Sequence, residues 1–309
     1  MKGRLVMTIV TSLILTVSFG CALRRDSMGA PVAGVSKPSV PGSQTDPTEV
    51  RGLASPSRKS GGPANLEQQD RALSSALQLL ALTPTGQGHR AVGQRYRVLG
   101  VPDMAYRHLN RAVEINHRDS AAHDGLARLW RDWGFADVAL PHAYRSVFYA
   151  PASAPAYNTL GTVFQALGLL DEAREAYLRA TELDQRAVYA LSNLCYLSFL
   201  QGKFDESGIA CRSALGIDPA YAPAHNNLAL ANAATGRFDL ARIGFIEAAD
   251  TAVGLFNMGI VHMAERDYGN AAAAFEAASR ANPALKLAHE RASQARQLGR
   301  TSARRGDQR

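Results

Sequence analysis

The chain has 309 residues, of which 46% are hydrophobic and 20% charged, and its formal net charge is +7. That length is enough for one or two ordinary domains or for one longer repeat array. Alanine and leucine dominate, aromatic residues make up only 7% and runs of β-branched residues are scarce, so the composition favours helices and argues against a sheet-based fold.

The first twenty residues have the pattern of a secretory signal peptide. Lys2 and Arg4 form a short positive stretch, and an apolar run follows over residues 5–19. The run is fifteen residues long, whereas a membrane-spanning helix needs about 20. We therefore predict that residues 1–20 are a signal peptide and not a membrane anchor.

The residues at the predicted cleavage point read Ser18-Phe19-Gly20-Cys21. This motif resembles the lipobox of bacterial lipoproteins, in which signal peptidase cuts before a lipid-modified cysteine. Ser18 departs from that family's preference for leucine, and ordinary cleavage after Ala22 is the alternative. The resemblance implies an exported lipoprotein that is anchored through Cys21, faces the periplasm and is sorted to the outer membrane if the host has one.

Residues 21–65 are rich in proline, serine and glycine and contain no aromatic residue. Such a segment cannot bury enough apolar surface to offset its ordering entropy, so it predicts a disordered tether. Helical apolar spacing begins at Leu66 and continues through Leu73 and Leu80 until Pro84. We predict a leading helix within residues 66–85.

A large apolar residue followed by a small one recurs along the next part of the chain, with a spacing of 34 residues except for a last step of 30. The small residues are Gly93, Ala127, Gly161, Cys195, Ala229 and Gly259. Further small residues follow at constant offsets, and a turn glycine marks five of the six units. Six units in register predict one repeat array over residues 86–285.

The residues that carry the clearest family resemblance are Leu160, Gly161, Asp171, Glu172, Ala173, Tyr177 and Ala180. They resemble the tetratricopeptide repeat family, in which each repeat is a pair of antiparallel helices. The resemblance implies an all-α, right-handed α-solenoid of about six helix pairs. The predicted units span residues 86–119, 120–153, 154–187, 188–221, 222–251 and 252–285.

The end of the chain is polar. Residues 286–299 have many charges and few apolar side chains, which predicts the polar capping helix that a solenoid needs. Residues 300–309 are rich in arginine and predict a disordered basic tail. A basic tail is able to contact nucleic acid or anionic lipid, but a solvated end is the simpler interpretation, so no nucleic-acid partner is expected.

No pattern in the sequence predicts catalysis. The histidines are scattered without metal-site spacing, and Gly86, Gly88 and Gly93 do not follow a strand as a phosphate-binding loop would. The neighbouring carboxylates Asp171 and Glu172 suit the start of a helix. We expect a non-enzymatic protein without catalytic residues, metal ligands or cofactors.

Three asparagines, Asn193, Asn227 and Asn257, occupy the same place in consecutive units, and Asn158 lies beside that place one unit earlier. In the arrays that this chain resembles, notably that of the O-linked N-acetylglucosamine transferase, asparagines at this place bind the backbone of an extended peptide. An amide suits this role because it offers a donor and an acceptor together. The resemblance implies a peptide-binding groove lined by first helices; an ordinary polar surface is the alternative.

The predicted groove changes in character along its length. Charged residues flank its N-terminal end: Arg90, Arg97, Arg128, Arg131, Asp124 and Asp132. Apolar residues flank its C-terminal end: Phe256, Ile260 and Met263. This arrangement suits a peptide or helix of a partner protein better than a small metabolite.

Cys195 and Cys211 both fall in the fourth unit, at inward positions of its two helices. The packing pattern already calls for small residues there, so we expect two free buried thiols. A disulfide in an exported protein is the alternative.

The signal, lipid anchor, tether and repeats together resemble the pilotin-type lipoproteins of type IV and tight-adherence (Flp) pili, which assist assembly of an outer-membrane secretin. The implied function is a scaffold that holds a peptide segment of an envelope protein. Two alternatives stay open: an adaptor for cell-wall hydrolases or synthases, and an accessory subunit of an envelope enzyme.

Overall fold

A computed structural model of the chain describes residues 63–306. This part of the chain contains fifteen helices and no strand, which confirms the predicted all-α solenoid. The predicted signal peptide, the lipidation site Cys21 and nearly all of the tether lie outside the described residues. Among the helices of the described part, none has both the length and the apolar character needed to cross a bilayer.

Two helices precede the repeats: α1 is Pro63–Gln69 and α2 is Arg71–Leu82. The predicted leading helix is therefore divided at Asp70, whose carboxylate accepts a hydrogen bond from the Leu73 backbone N–H and begins α2. Asp70 also forms an ion pair with Arg95 of the first repeat. Because Leu73 is fully buried, α2 covers the start of the array as the second helix of a preceding unit would.

Six helix pairs follow. In chain order they are α3 Gly86–Val98 and α4 Pro102–Ile115; α5 Ser120–Asp132 and α6 Ala136–Tyr149; α7 Ala154–Ala166 and α8 Leu170–Leu183; α9 Val188–Leu200 and α10 Phe204–Ile217; α11 Ala222–Ala234 and α12 Phe238–Ala248; α13 Thr251–Ala264 and α14 Tyr268–Ala281. The helices of each pair pack together, and each second helix also packs on the first helix of the next unit.

The first helices of successive units contact one another from α3 through α5, α7 and α9 to α11. In the part of the chain that the structure describes, no comparable contact joins the second helices, so the first helices form the inner side of the array. The contact between successive first helices is weaker between α11 and α13. Here α12 has 11 residues, whereas the other second helices have 14, so the short fifth unit interrupts the inner side.

Glycines serve two different needs in the repeats. A Cβ at Gly161 would lie 2.6 Å from the ring of buried Tyr177, so only glycine allows the two helices of that unit to approach so closely. The turns within units one to five each hold a glycine with φ between 71° and 87°: Gly100, Gly134, Gly168, Gly202 and Gly236. In the sixth unit Arg266 takes this left-handed conformation, with φ 61°.

The last helix, α15, spans Lys286–Gly306 and packs on α14 through buried Ala288, Ala292 and Ala295. The prediction of a disordered tail from residue 300 is wrong up to Gly306. Arginine, alanine and glutamine are good helix formers, and positive charges near the C-terminal end of a helix interact favourably with its dipole. Residues 307–309 lie outside the described part.

Candidate functional site

Two of the predicted groove asparagines bridge neighbouring first helices. The Nδ2 of Asn193 on α9 donates to Oδ1 of Asn158 on α7 at 2.7 Å. The Nδ2 of Asn227 on α11 donates to the backbone oxygen of Ser192 on α9 at 3.1 Å and lies 3.2 Å from the Ser192 hydroxyl. We call these two hydrogen-bonded contacts the amide rungs. They connect units three, four and five across the inner side of the array.

The amide rungs leave acceptor atoms free. No described residue donates to Oδ1 of Asn193 or Asn227, neither oxygen is buried, and both side chains are half-buried. Asn158, in contrast, is only 7% exposed and acts as the buried acceptor of its rung. Asn193 and Asn227 are therefore able to hydrogen-bond a ligand, while Asn158 has a structural role.

The third asparagine of the predicted series differs. Asn257 on α13 is 4% exposed, and its Oδ1 is buried without a hydrogen-bond partner. The pattern of the rungs would pair it with Asn226 of α11, but the short α12 weakens the contact between α11 and α13. The prediction that Asn257 lines an accessible groove is wrong, because its side chain is buried.

The prediction of an apolar C-terminal end of the groove is also wrong. Phe256 and Ile260 are each 3% exposed and belong to the core of the last two units. The centroid of the Phe256 ring lies 5.1 Å from that of Phe275 on α14, so this side chain packs between the two helices of its own unit. Neither residue presents an apolar surface to a ligand.

Arg128 lies in a set of five charged residues on α3 and α5, which we call the charged cluster: Arg97, Asp124, Arg128, Arg131 and Asp132. Its two ion pairs are Arg128 Nε to Asp124 Oδ2 at 2.8 Å and Arg131 to Asp132 Oδ1 at 2.6 Å. Arg97 has no ion pair within the described residues, and its Nε is buried without a partner. Burial, together with the charge of Arg128, lowers the pKa of Arg97.

Arg90, which the sequence also predicts at this end, has a structural role instead. It donates to both carboxylate oxygens of Asp119, at 2.8 and 2.7 Å. The Asp119 side chain is 4% exposed, and the same carboxylate accepts from the Ala122 backbone N–H at the start of α5. Arg90 thus neutralises the charge of the buried carboxylate that caps α5.

Cys195 and Cys211 form a disulfide between α9 and α10, with their Cα atoms 5.2 Å apart. The expectation of free thiols is wrong. The small-residue positions that let the two helices approach also bring the cysteine Cα atoms within the range that a disulfide requires. Both residues are fully buried, so the bond fixes the interior of the fourth unit.

Sequence reasoning missed two histidine pairs. Nδ1 atoms lie 3.1 Å apart in His89–His108 and 3.0 Å apart in His123–His142. The second pair follows the first by 34 residues at both positions, so the repeat register itself was the signal. Burial lowers the pKa of all four rings, to about 4 for His142. No group of three or more potential metal ligands occurs within the described residues.

Comparison with known proteins agrees with this geometry. Residues 158–222 match a tetratricopeptide repeat family model. No curated protein matches the chain in sequence. A chain in the crystal structure of the APC/C hetero-tetramer Cut9-Hcn1 is 18% identical, with a TM-score of 0.62 over 75% of this chain. The match spans 48% of that chain, so this protein corresponds to about half of its length.

Two shorter proteins match over most of their own length. A tetratricopeptide repeat protein from Parabacteroides merdae is 17% identical, with a TM-score of 0.55 over 72% of this chain and 91% of that one. The Pseudomonas aeruginosa protein pilF is 17% identical, with a TM-score of 0.52 over 71% of this chain and 98% of that one. The fold is that of a tetratricopeptide repeat solenoid.

Proposed function

We propose that the chain is a non-enzymatic scaffold of the cell envelope that binds an extended peptide segment of a partner protein along α7, α9 and α11. The amide rungs carry this proposal, because each has an accessible oxygen on the inner side of the array. An extended peptide presents backbone N–H groups that such oxygens can accept, while its side chains remain free to confer specificity.

The cellular setting is part of the same proposal. The lipobox-like motif at Cys21 supports export and a lipid anchor, and the disulfide of the fourth unit supports an oxidising compartment such as the periplasm. The architecture resembles pilotin-type lipoproteins, which favours a partner from a pilus or secretion machine. The chain shares its fold with pilF, and this similarity concerns the fold alone.

The test separates ligand binding from the structural role of the rungs. Asn193→Ala and Asn158→Ala both remove the same 2.7 Å hydrogen bond between α7 and α9. Only Asn193→Ala also removes an accessible acceptor, because Asn158 is 7% exposed. Each variant is captured from detergent-solubilised envelopes, and the co-purified proteins are quantified by mass spectrometry.

We expect Asn193→Ala to lose about 80–90% of a specific partner, since one lost hydrogen bond of about 1 kcal/mol lowers affinity roughly fivefold or more. Asn158→Ala should retain the partner. Equal retention by both variants would contradict a role for the rungs in binding. The identity of the partner then separates the alternatives: a secretin or pilus component supports the envelope-machine role, and a cell-wall hydrolase or synthase supports the adaptor role.

A further inference from the structure

The positive charge of the chain is concentrated at its last helix. Residues 286–309 contain seven basic and two acidic residues, whereas residues 21–285 contain 25 of each. The net charge of +7 therefore comes from this end and from the two basic residues of the predicted signal peptide. A concentration of one sign of charge attracts an oppositely charged partner over about 10 Å at moderate salt.

Three arginines of α15 lie on one face of the helix. Arg296, Arg300 and Arg304 follow one another at four-residue spacing, and we call them the arginine stripe. Nη1 of Arg296 lies 2.7 Å from Oε1 of Glu276 on α14. Arg300 and Arg304 are exposed and form no ion pair with the residues that the structure describes. Like charges at this spacing repel each other, and no described carboxylate offsets the repulsion between these two arginines.

The end of the stripe projects beyond the helix on which α15 packs. The two helices are antiparallel, and a Cβ at Gly299 would lie 3.4 Å from the Cβ of Tyr268, the first residue of α14. α15 continues to Gly306, so its last turns extend about 10 Å past that point. In the described part of the chain, α15 makes no comparable contact with another helix. A flat partner can therefore approach Arg300 and Arg304.

We infer that the arginine stripe binds the anionic phosphate headgroups of a phospholipid membrane. Guanidinium groups donate paired hydrogen bonds to phosphate oxygens, and each basic residue near an anionic membrane surface strengthens binding. The residues beside the stripe are polar, among them Ser293 and Gln297, and both are exposed. The helix therefore lies on the headgroups and does not insert into the hydrocarbon.

The choice of a membrane over nucleic acid rests on the proposed function, which places the chain in the cell envelope. A lipid on Cys21 would keep the array near phospholipid headgroups, because the predicted tether of residues 21–65 has ends about 35–40 Å apart as a coil. The stripe lies at the opposite end of the array from this tether. Contact through the stripe would give the array a second attachment point and hold it along the membrane.

The test measures the contact of α15 with vesicles of defined composition. The full protein is purified from detergent-solubilised envelopes and added to vesicles of phosphatidylcholine, alone or with about one third phosphatidylglycerol. The fluorescent amino acid Anap replaces Gln297, which is exposed beside the stripe. Lipids with a nitroxide on the headgroup quench this fluorophore at short range. The control position for the fluorophore is Tyr144, which is 51% exposed on α6.

We expect strong quenching at position 297 only with phosphatidylglycerol, and a decrease as salt is added. Arg300→Gln/Arg304→Gln should associate with these vesicles about thirtyfold more weakly, because each arginine contributes about fivefold. Arg300→Lys/Arg304→Lys keeps both charges and should associate nearly as well as the wild type. Arg107→Gln/Arg242→Gln removes two exposed arginines of other helices and should leave the association unchanged.

Three results would overturn the inference. The first is equal quenching with both kinds of vesicle, or quenching at position 144 alone, and both are read on wild-type arginines. The second is equal quenching of the wild type and Arg300→Gln/Arg304→Gln. The third is complete displacement of α15 from the vesicles by a short duplex DNA at the same phosphate concentration and physiological salt, which would assign the stripe to nucleic acid.

The capture experiment with Asn193→Ala separates this inference from the proposed function. Arg300→Gln/Arg304→Gln should lose the lipid contact and retain the partner that depends on Asn193. A lipid contact without any partner that depends on Asn193 would leave the stripe intact and contradict the peptide groove. Capture that depends on Asn193, without a lipid contact in the wild type, would contradict the stripe alone.

Discussion

At the residue scale, the His123–His142 pair holds one proton between two ring nitrogens. Nε2 of His123 lies 3.0 Å from the His117 carbonyl oxygen and must donate to it. A neutral His123 then has a bare Nδ1, which accepts from Nδ1–H of His142 at 3.0 Å. Protonation of His123 would place a second N–H opposite Nδ1–H of His142, and protonation of His142 would create a charge on a largely buried ring, so the folded protein favours neutral rings.

This arrangement predicts a loss of stability in acid. The pKa of His142 falls from 6.5 to about 4 in the folded protein, mainly through burial. The unfolded chain therefore binds protons that the folded chain does not, and stability decreases as the pH falls from about 6.5 towards 4. Over this pH range, the free energy of unfolding of His142→Gln should decrease by up to about 3 kcal/mol less than that of the wild type. Denaturant unfolding at each pH measures this difference.

His289→Gln is the matched control, because His289 is exposed on α15. It should show the same acid dependence as the wild type. If His142→Gln loses as much stability as the wild type between pH 6.5 and 4, the pair is not a source of acid sensitivity.

The asparagines show what a residue pattern can and cannot predict. The repeat register correctly identifies equivalent places in three units, but the environment of each side chain depends on the neighbouring first helix. Asn193 finds Asn158 one unit back, whereas Asn257 faces the interrupted contact between α11 and α13 and is buried without a partner for Oδ1. A four-residue deletion visible in the sequence thus had a consequence that only packing reveals.

At the element scale, the fourth unit depends on its disulfide. The buried residues around Cys195 and Cys211 are the small Ala214 and Ala224, and larger side chains such as Leu191 and Tyr221 are only partly buried there. Small side chains bury little apolar area, so the cross-link compensates for weak packing between α9, α10 and α11. The sequence predicted that both cysteines occupy inward positions of the unit. The distance between the two helices was needed to decide between free thiols and a disulfide.

We expect the double variant Cys195→Ala/Cys211→Ala to unfold at lower denaturant concentration, with a loss of about 3 kcal/mol for a loop that joins residues 16 apart. A reducing agent should lower the stability of the wild type to a similar extent and leave the stability of the double variant unchanged. In the unreduced, denatured protein, alkylation at Cys195 or Cys211 would contradict the disulfide.

At the scale of the whole molecule, the array contains two large apolar cores. One extends from Leu73 to Leu197 and the other from Phe199 to Ala295, and the disulfide-linked core of unit four lies between them. Because repeat arrays gain stability from neighbouring units, the cross-linked fourth unit forms the junction between two blocks. The periodicity of the sequence predicted the units, while the division of the core follows from side-chain sizes at their contacts.

The central claim is that the partner lies on the inner side of the array, against the first helices. The most direct measurement replaces Tyr189 of α9, one turn before Asn193, with the photo-crosslinker p-benzoylphenylalanine in cells. The control replaces Tyr144, which is 51% exposed on the second helix α6. The account predicts that one partner cross-links from position 189 and not from position 144. Cross-linking of that partner from position 144 alone would place it on the outer helices and contradict the account.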